Sequence, residues 1–224
     1  MAFFVDRLDA GKRLASDLKN FSGNKGIVLA IPRGGVVVGY VIAKTLNLPL
    51  DVIIPRKIGA PDNPELAIGA VAEDGTAILD QPLIKYLGVS QEYVIEETER
   101  QKQEIKRRFK LYRQNTSYPD LKGLDVIVVD DGIATGSTMK AALASVKNRG
   151  AASITVAVPV GPPSTIEELE KMADRVVCIY TPEFFQAIGE FYEDFNQTSD
   201  EEVISLLLEN KRNVDKKSGG MVMV

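Results

Sequence analysis

The chain has 224 residues, of which 45% are hydrophobic and 26% charged, and its formal net charge at pH 7 is −4. These values are typical of an ordinary globular protein with one main core, and they argue against a disordered chain and against broad nucleic-acid binding. The absence of histidine excludes a histidine general base, the Ser/His/Asp triad and the usual zinc sites. Because no apolar run reaches about 18 residues, we expect a cytoplasmic protein without membrane contact.

The first half of the chain alternates predicted helices with short apolar strands. Leu8, Leu14, Leu18 and Phe21 have the spacing of one apolar helix face. Residues 56–64 are rich in Gly, Pro, Asp and Asn and predict a long loop, a feature that is often functional in compact domains. The predicted elements are a helix over 8–21, a strand over 26–31, a buried helix over 36–46, a strand over 52–55 and a hairpin-like pair over 67–72 and 76–79.

The second half continues the alternation. Residues 126–129 are four consecutive apolar residues and predict a strand buried on both faces. Cys178 lies in an apolar run, where a buried, inert thiol is expected. The predicted elements are a charged helix over 91–113, strands over 126–129, 154–160 and 176–180, and helices over 138–148, 164–172 (with Ser164 as its cap) and 199–209. Together the elements predict an α/β fold with a mostly parallel central sheet flanked by helices.

One segment joins two kinds of ligand-binding group. Residues 126–138 read VIVVDDGIATGST, so a buried strand ends in Asp130 and Asp131 and then enters a helix through small and hydroxyl residues. The backbone amides of residues 134–138 can approach an anion closely, and the helix that follows adds unpaired N–H groups and a positive dipole end. Two adjacent carboxylates can accept hydrogen bonds from a vicinal diol such as a ribose. The alternative is that the aspartates only end a strand and Thr138 only caps a helix.

This segment resembles the signature of the type I phosphoribosyltransferases: an apolar strand, two acidic residues, two mostly aliphatic positions and a Thr/Gly-rich loop. Gly132 stands where the family usually has an aliphatic residue. The resemblance implies that Asp130 and Asp131 hold the ribose hydroxyls of 5-phosphoribosyl 1-pyrophosphate (PRPP). It also implies that a loop binds the 5-phosphate, and this loop consists of Ala134, Thr135, Gly136, Ser137 and Thr138.

Two further segments fit the same resemblance. Arg33, Gly34 and Gly35 form a second strand-to-helix turn, where the family has a loop that binds pyrophosphate, although the glycines could also serve only a tight turn. Arg56 and Lys57 begin the predicted long loop and, by the resemblance, contact pyrophosphate. The loop would close over the site and exclude water. Glu65 could help to close it, but a solvated carboxylate is the simpler interpretation.

The resemblance predicts a type I phosphoribosyltransferase fold whose core spans residues 26–180. Residues 1–25 and 181–210 form a small hood in a single domain over 1–210, and residues 211–224 form a disordered tail. The aromatic residues of the hood could stack on a base or form a small core; they are Phe184, Phe185, Phe191, Tyr192 and Phe195.

The implied reaction is a magnesium-dependent transfer of phosphoribosyl from PRPP to a nitrogen nucleophile, such as a nucleobase, with release of pyrophosphate. Asp130, Asp131, Arg33 and Lys57 are the predicted catalytic residues. The magnesium ion would arrive bound to the substrate and could also contact Asp130 and Asp131. A metal site formed by protein ligands alone is therefore not expected. A rival is a regulator on the same fold that senses PRPP or a nucleotide without turnover. A homodimer is one alternative for the oligomeric state. The 91–113 helix can be either a solvated surface helix or a contact for a partner.

Overall fold

The computed structural model describes residues 3–21, 25–113 and 117–219. Its centre is a parallel five-stranded sheet with the strand order β2-β1-β6-β7-β8, and a separate antiparallel sheet has the order β3-β4-β5. This arrangement is the predicted α/β fold. The strands are β1 (Gly26–Ala30), β2 (Leu50–Val52), β3 (Arg56–Ala60), β4 (Asn63–Val71), β5 (Ala77–Leu79), β6 (Asp125–Val129), β7 (Ser153–Val160) and β8 (Arg175–Tyr180).

Helices cover both faces of the parallel sheet, because the hydrophobic clusters on its two faces contain residues of different helices. The helices are α1 (Arg7–Asp17), α2 (Gly34–Leu46), α3 (Gln81–Tyr86), α4 (Gln91–Arg113), α5 (Ser137–Asn148), α6 (Pro163–Glu170) and α7 (Asp200–Gly219), with short 3-10 turns at Lys19–Phe21 and Ile188–Phe191. No helix among the described residues is long and apolar enough to cross a membrane.

The central strand β6 is buried on both faces, as predicted. Val126 and Val128 pack in one hydrophobic cluster, while Ile127 and Val129 pack in the cluster on the opposite face. This division follows from the two-residue period of a strand. Because β6 ends at Val129, the two aspartates that follow stand at the carboxyl edge of the sheet, where open α/β sheets bind ligands.

The predicted long loop over residues 56–64 is wrong. Residues 56–60 form β3, which pairs antiparallel with β4, and the register shifts near Gly59. The Gly, Pro, Asp and Asn residues that predict a loop lie at this irregularity and at the turn between the two strands. The predicted hairpin-like pair is confirmed as the pairing of β4 with β5.

Some predicted element bounds also change. The strand predicted over 52–55 ends at Val52, although the following residues Ile53 and Ile54 are buried. Ser164 is not a cap, because α6 already begins at Pro163. Leu8 does not join the apolar face of α1 and is 43% exposed.

The predicted disordered tail over 211–224 is wrong in its first part, because α7 continues to Gly219. This helix is anchored by Asn210, whose side chain accepts a hydrogen bond from the backbone N–H of Leu50 and donates one to the carbonyl of Leu48. Residues 220–224 lie outside the described part of the chain. The charged helix α4 spans its predicted bounds and packs against β3 and α7 through a partly buried face.

Candidate functional site

Asp130 and Asp131 lie at the carboxyl edge of the parallel sheet, directly after β6. The backbone N–H of Asp131 donates a hydrogen bond of 2.8 Å to Oδ1 of Asp130. Burial, and then the neighbouring charge of Asp131, raises the pKa of Asp130 well above its usual value. The two carboxyl groups are therefore in different electrostatic environments, because the ionised form of Asp130 is the disfavoured one.

Arg7 contacts the second aspartate, and the sequence does not predict this contact. Its Nε atom lies 2.7 Å from Oδ2 of Asp131, and both side chains are largely buried. Nη1 donates to the carbonyl oxygen of Asn196 at 2.7 Å, and the guanidinium group lies 3.9 Å from the ring centroid of Phe195. No local pattern signals this contact, since Arg7 and Asp131 are 124 residues apart.

The glycine turn packs directly on the acidic pair. A β-carbon built on Gly34 would stand 1.8 Å from Oδ2 of Asp131, and one on Gly35 would stand 2.9 Å from Cα of Asp130. The peptide bond between Pro32 and Arg33 is cis. The structure thus brings the predicted pyrophosphate loop and the predicted ribose residues into contact, and the absence of side chains at both glycines is what permits it.

The loop from Ala134 to Thr138 leads into α5 as predicted. Gly136 precedes the helix with φ of 71°, a conformation that favours glycine. The first backbone hydrogen bond into this helix runs from Lys140 N–H to the Gly136 carbonyl, so the N–H groups of the first turn have no carbonyl partner within the helix. The hydroxyls of Thr135 and Ser137 lie 3.1 Å apart. This arrangement of amides and hydroxyls can bind a phosphate group.

Thr165 supports the loop from the neighbouring element. Its hydroxyl donates a hydrogen bond of 2.8 Å to the carbonyl of Ala134, and its methyl group would be 2.8 Å from a β-carbon on Gly136. The loop conformation is therefore fixed from α6 as well as from its own helix.

A cavity of about 330 Å³ joins these parts. One wall is formed by Asp130, Asp131 and the loop through Thr138, and the other by Lys57 and Glu65 of the β3–β4 hairpin. Nζ of Lys57 lies 2.5 Å from Oε2 of Glu65, and the Glu65 side chain is largely exposed. The cavity therefore has a loop of backbone amides and hydroxyl groups, a pair of carboxyl groups and a lysine around one space.

Of the five residues predicted to contact pyrophosphate, only Lys57 lines this cavity, and Arg33, Gly34, Gly35 and Arg56 do not. Arg56 precedes Lys57 in β3, and successive side chains of a strand project to opposite faces. Its Nε donates to Oε1 of Gln101 at 3.0 Å, so Arg56 faces α4. Nη1 of Arg33 lies 3.8 Å from Oδ1 of Asp200, at the start of α7. The predicted Arg-Lys pair is thus divided between two surfaces.

Most aromatic residues after β8 form a small core. Phe191 and Tyr192 are buried with Phe4, and Phe185 stacks on Phe191 with ring centroids 5.3 Å apart. Phe184 differs, since it is 90% exposed. Backbone hydrogen bonds join the N-terminal segment to residues 191–194, including one of 2.9 Å from Glu193 N–H to the Phe4 carbonyl.

This aromatic region also contacts the acidic pair. Tyr192 donates a hydrogen bond of 2.6 Å to the backbone carbonyl of Asp131, and burial raises the Tyr192 pKa, so the hydroxyl stays protonated. Ile188 lies where a side chain at position 132 would be, with its Cγ2 atom 2.5 Å from a β-carbon built on Gly132. This contact explains why glycine replaces an aliphatic residue there.

Two further features are the thiol of Cys178 and the acidic side chains that could bind a metal ion. Cys178 has its pKa raised to about 11 by burial, and its thiol lies 3.3 Å from the Tyr180 carbonyl, so it stays protonated and unreactive. Within residues 3–21, 25–113 and 117–219 no group of three or more Cys, Asp and Glu side chains could hold a metal ion.

Comparison with known proteins assigns this geometry to a family. A protein-family model described as "Phosphoribosyl transferase domain" matches residues 5–196. Two Mycobacterium tuberculosis proteins, whose names give phosphoribosyl transferase as a provisional assignment, are each 42% identical over 207 residues, which is 92% of this chain and 47% of the relative. The chain therefore spans about half the length of these relatives. The crystal structure of TT1426 from Thermus thermophilus is 42% identical with a TM-score of 0.78, covering 93% of this chain and 99% of that one.

Proposed function

The chain belongs to the phosphoribosyl transferase domain family, and on that premise we propose that it is an enzyme that transfers the phosphoribosyl group of PRPP to a nitrogen nucleophile. The observation that carries the proposal is the single cavity shared by the acidic pair, the loop from Ala134 to Thr138 and Lys57. A ribose with a phosphate on one side and a pyrophosphate on the other can use all three, with the loop for the phosphate, the acidic pair for the ribose hydroxyls and Lys57 for the pyrophosphate.

Each part of the substrate has a partner in this proposal. The loop before α5 binds the 5-phosphate through backbone amides and the hydroxyls of Thr135, Ser137 and Thr138. Asp130 and Asp131 bind the ribose hydroxyls. Lys57 and the backbone of Gly34 and Gly35 bind the pyrophosphate. Arg33 and Arg56 would have to leave Asp200 and Gln101 to join them.

The transfer breaks the bond between C1 of the ribose and the pyrophosphate oxygen, and the bonding electron pair leaves with pyrophosphate. A nitrogen lone pair of the acceptor forms the new bond to C1. Lys57 stabilises the negative charge that develops on the leaving group, as preorganised cations do in a site with little water. The β3–β4 hairpin that carries Lys57 also limits the access of water, the competing nucleophile.

Magnesium fits the donor set of this site. The oxygen atoms of Asp130 and Asp131 are hard ligands of the kind that Mg²⁺ prefers, and two carboxylates suffice when substrate oxygens and water complete the coordination. When bound, the ion would neutralise charge on the pyrophosphate. The charge of the ion would also favour the ionised form of Asp130, whose pKa is raised by burial.

The acceptor is assigned only to a class. We propose a nucleobase, with the hood of residues 1–25 and 181–210 bordering its position. The ring of Phe184 is exposed and is therefore free to stack on a base. A cytoplasmic location remains a prediction.

The proposed activity can be tested by measuring pyrophosphate release from PRPP and magnesium in the presence of a panel of purine and pyrimidine bases. We expect release with at least one base, dependent on magnesium and strongly reduced in a Lys57→Ala variant. Lys85→Ala is a matched control, because Lys85 lies on α3 and does not line the cavity. Tight PRPP binding without release for any base would contradict the transferase and favour a regulator.

A further inference from the structure

Three segments that are distant in sequence fix the position of Asp131. Arg7 at the start of α1 contacts its carboxylate, the Gly34 backbone packs against the same Oδ2 atom, and Tyr192 binds its backbone carbonyl. The side chains of Arg7 and Asp131 are 12% and 13% exposed, so water screens their attraction less than at an open surface. Asp131 is therefore held by three other segments of the chain in addition to its own strand.

Arg7 is itself held in place. Its Nη1 donates to the Asn196 carbonyl at 2.7 Å while Nε binds Asp131, and Phe195 lies under its guanidinium group at 3.9 Å. A planar guanidinium can make two directed hydrogen bonds and stack on a ring at the same time, whereas a lysine ammonium provides a single point charge on a flexible chain. The geometry thus uses the specific shape of arginine.

Arg7 binds the Asp131 carboxyl group through one of its two oxygen atoms, Oδ2. A carboxylate has about four acceptor positions, so Asp131 can bind Arg7 through Oδ2 and still accept a hydrogen bond from a ligand in the cavity.

We propose that Arg7 is a positioning residue that orients the carboxyl group of Asp131 for a ribose hydroxyl, so that α1 forms part of the sugar-binding site without touching the reacting atoms. This inference rests on the proposed function. It assigns to Arg7 an effect on ribose recognition and none on phosphate recognition, because the loop from Ala134 to Thr138 makes no contact with Arg7 among the interactions of the described residues.

The test compares two ligands, ribose 5-phosphate and inorganic phosphate, by calorimetric titration of the natural protein and of Arg7→Gln. We expect the variant to lose affinity for ribose 5-phosphate by about tenfold, the loss of one hydrogen bond to a charged group, and to bind phosphate within about twofold of the natural protein. Lys12→Gln removes the same charge from an exposed position of α1 and should change neither affinity.

Arg7→Lys provides a second measurement, because it keeps a cation near Asp131 and should fold even if the glutamine variant does not. We expect an intermediate loss for ribose 5-phosphate and none for phosphate. Equal losses for the two ligands in Arg7→Lys would show a merely structural role and overturn the inference, as would an unchanged ribose 5-phosphate affinity. If the natural protein binds phosphate but gains nothing from the ribose, the proposed function fails together with the inference.

Discussion

Gly34 lies so close to Asp131 that a β-carbon on the glycine would stand 1.8 Å from the Oδ2 atom of the aspartate. The same β-carbon would lie 2.6 Å from Nε of Arg7. The glycine turn, the acidic pair and the first helix therefore form one packed unit. A side chain at position 34 should disturb the geometry of the site more than the stability of the fold.

A Gly34→Ala substitution should reduce kcat/KM with PRPP by about 100-fold, because a displacement of catalytic groups by about 1 Å has an effect of that size. The three atoms nearest to this β-carbon belong to Asp131 and Arg7 and none to the loop from Ala134 to Thr138, so the variant should still bind inorganic phosphate. Steady-state kinetics and a phosphate titration measure the two effects. An alanine variant with natural kcat/KM would show that Asp131 does not need its observed position.

The Lys57–Glu65 ion pair should affect ligand binding more than stability. Glu65 is 87% exposed at its side chain, and solvent screening leaves exposed ion pairs with little effect on the free energy of unfolding. We expect Glu65→Gln to leave that free energy nearly unchanged and to leave or increase the affinity for pyrophosphate, since Lys57 is released. Urea unfolding and pyrophosphate titration test this, and a large loss of pyrophosphate affinity would assign Glu65 a direct binding role.

Glu73 should make the stability of the protein depend on pH. Burial raises its pKa from 4.5 to about 7, although its Oε2 accepts a hydrogen bond of 2.7 Å from Ile54 N–H and Arg149 is 3.5 Å from Oε1. Between these two pKa values the folded protein holds a proton that the unfolded chain has lost, so the contribution of Glu73 to stability falls as the pH rises from 4.5 to 7.

A Glu73→Gln variant removes this titration and should therefore gain stability relative to the natural protein by about 3 kcal/mol as the pH rises through the same interval. The measurement is the difference in unfolding free energy between the two proteins at several pH values. The slope is diagnostic, because the attraction between Arg149 and the ionised carboxylate is already contained in the folded-state pKa, whereas a packing effect of the substitution shifts the difference equally at every pH. A difference that does not change with pH would contradict the assignment.

Gly136 and Gly88 allow a matched comparison of backbone conformation with and without a steric contact. Their φ values are 71° and 64°, but a β-carbon at Gly136 would meet Thr165 Cγ2 at 2.8 Å, whereas one at Gly88 would meet nothing within 4 Å. Gly88→Ala should cost about 1–2 kcal/mol of unfolding free energy, and Gly136→Ala more. Gly136→Ala alone should weaken phosphate binding. Equal costs and equal phosphate affinities would show that the loop tolerates the contact.

The sequence predicts those parts of the fold that are determined by residues close together in the chain. The bounds of α4 follow from its local charge and apolar spacing, and the burial of β6 follows from four consecutive apolar residues. The β3–β4 hairpin was missed because strand pairing depends on a partner elsewhere in the chain, and because Gly59 and Pro64 resemble a loop locally.

The same distinction applies to the site. The acidic pair and the loop after it form one continuous motif, and the structure places both in one cavity with Lys57. Arg7 could not be found, since an arginine near a chain terminus carries no local sign of its contact with Asp131. Arg56 and Lys57 face different surfaces because these residues lie in a strand and not in the predicted loop.

Calorimetric titration with PRPP and magnesium tests the central claim most directly, when the natural protein is compared with an Asp130→Asn, Asp131→Asn double variant. An Asp62→Asn, Asp120→Asn double variant is the control, since it makes the same charge change at exposed positions outside the cavity. We predict saturable binding by the natural protein and the control, and its loss in the Asp130 and Asp131 variant. A folded natural protein that does not bind PRPP, or equal binding by all three proteins, would contradict the account.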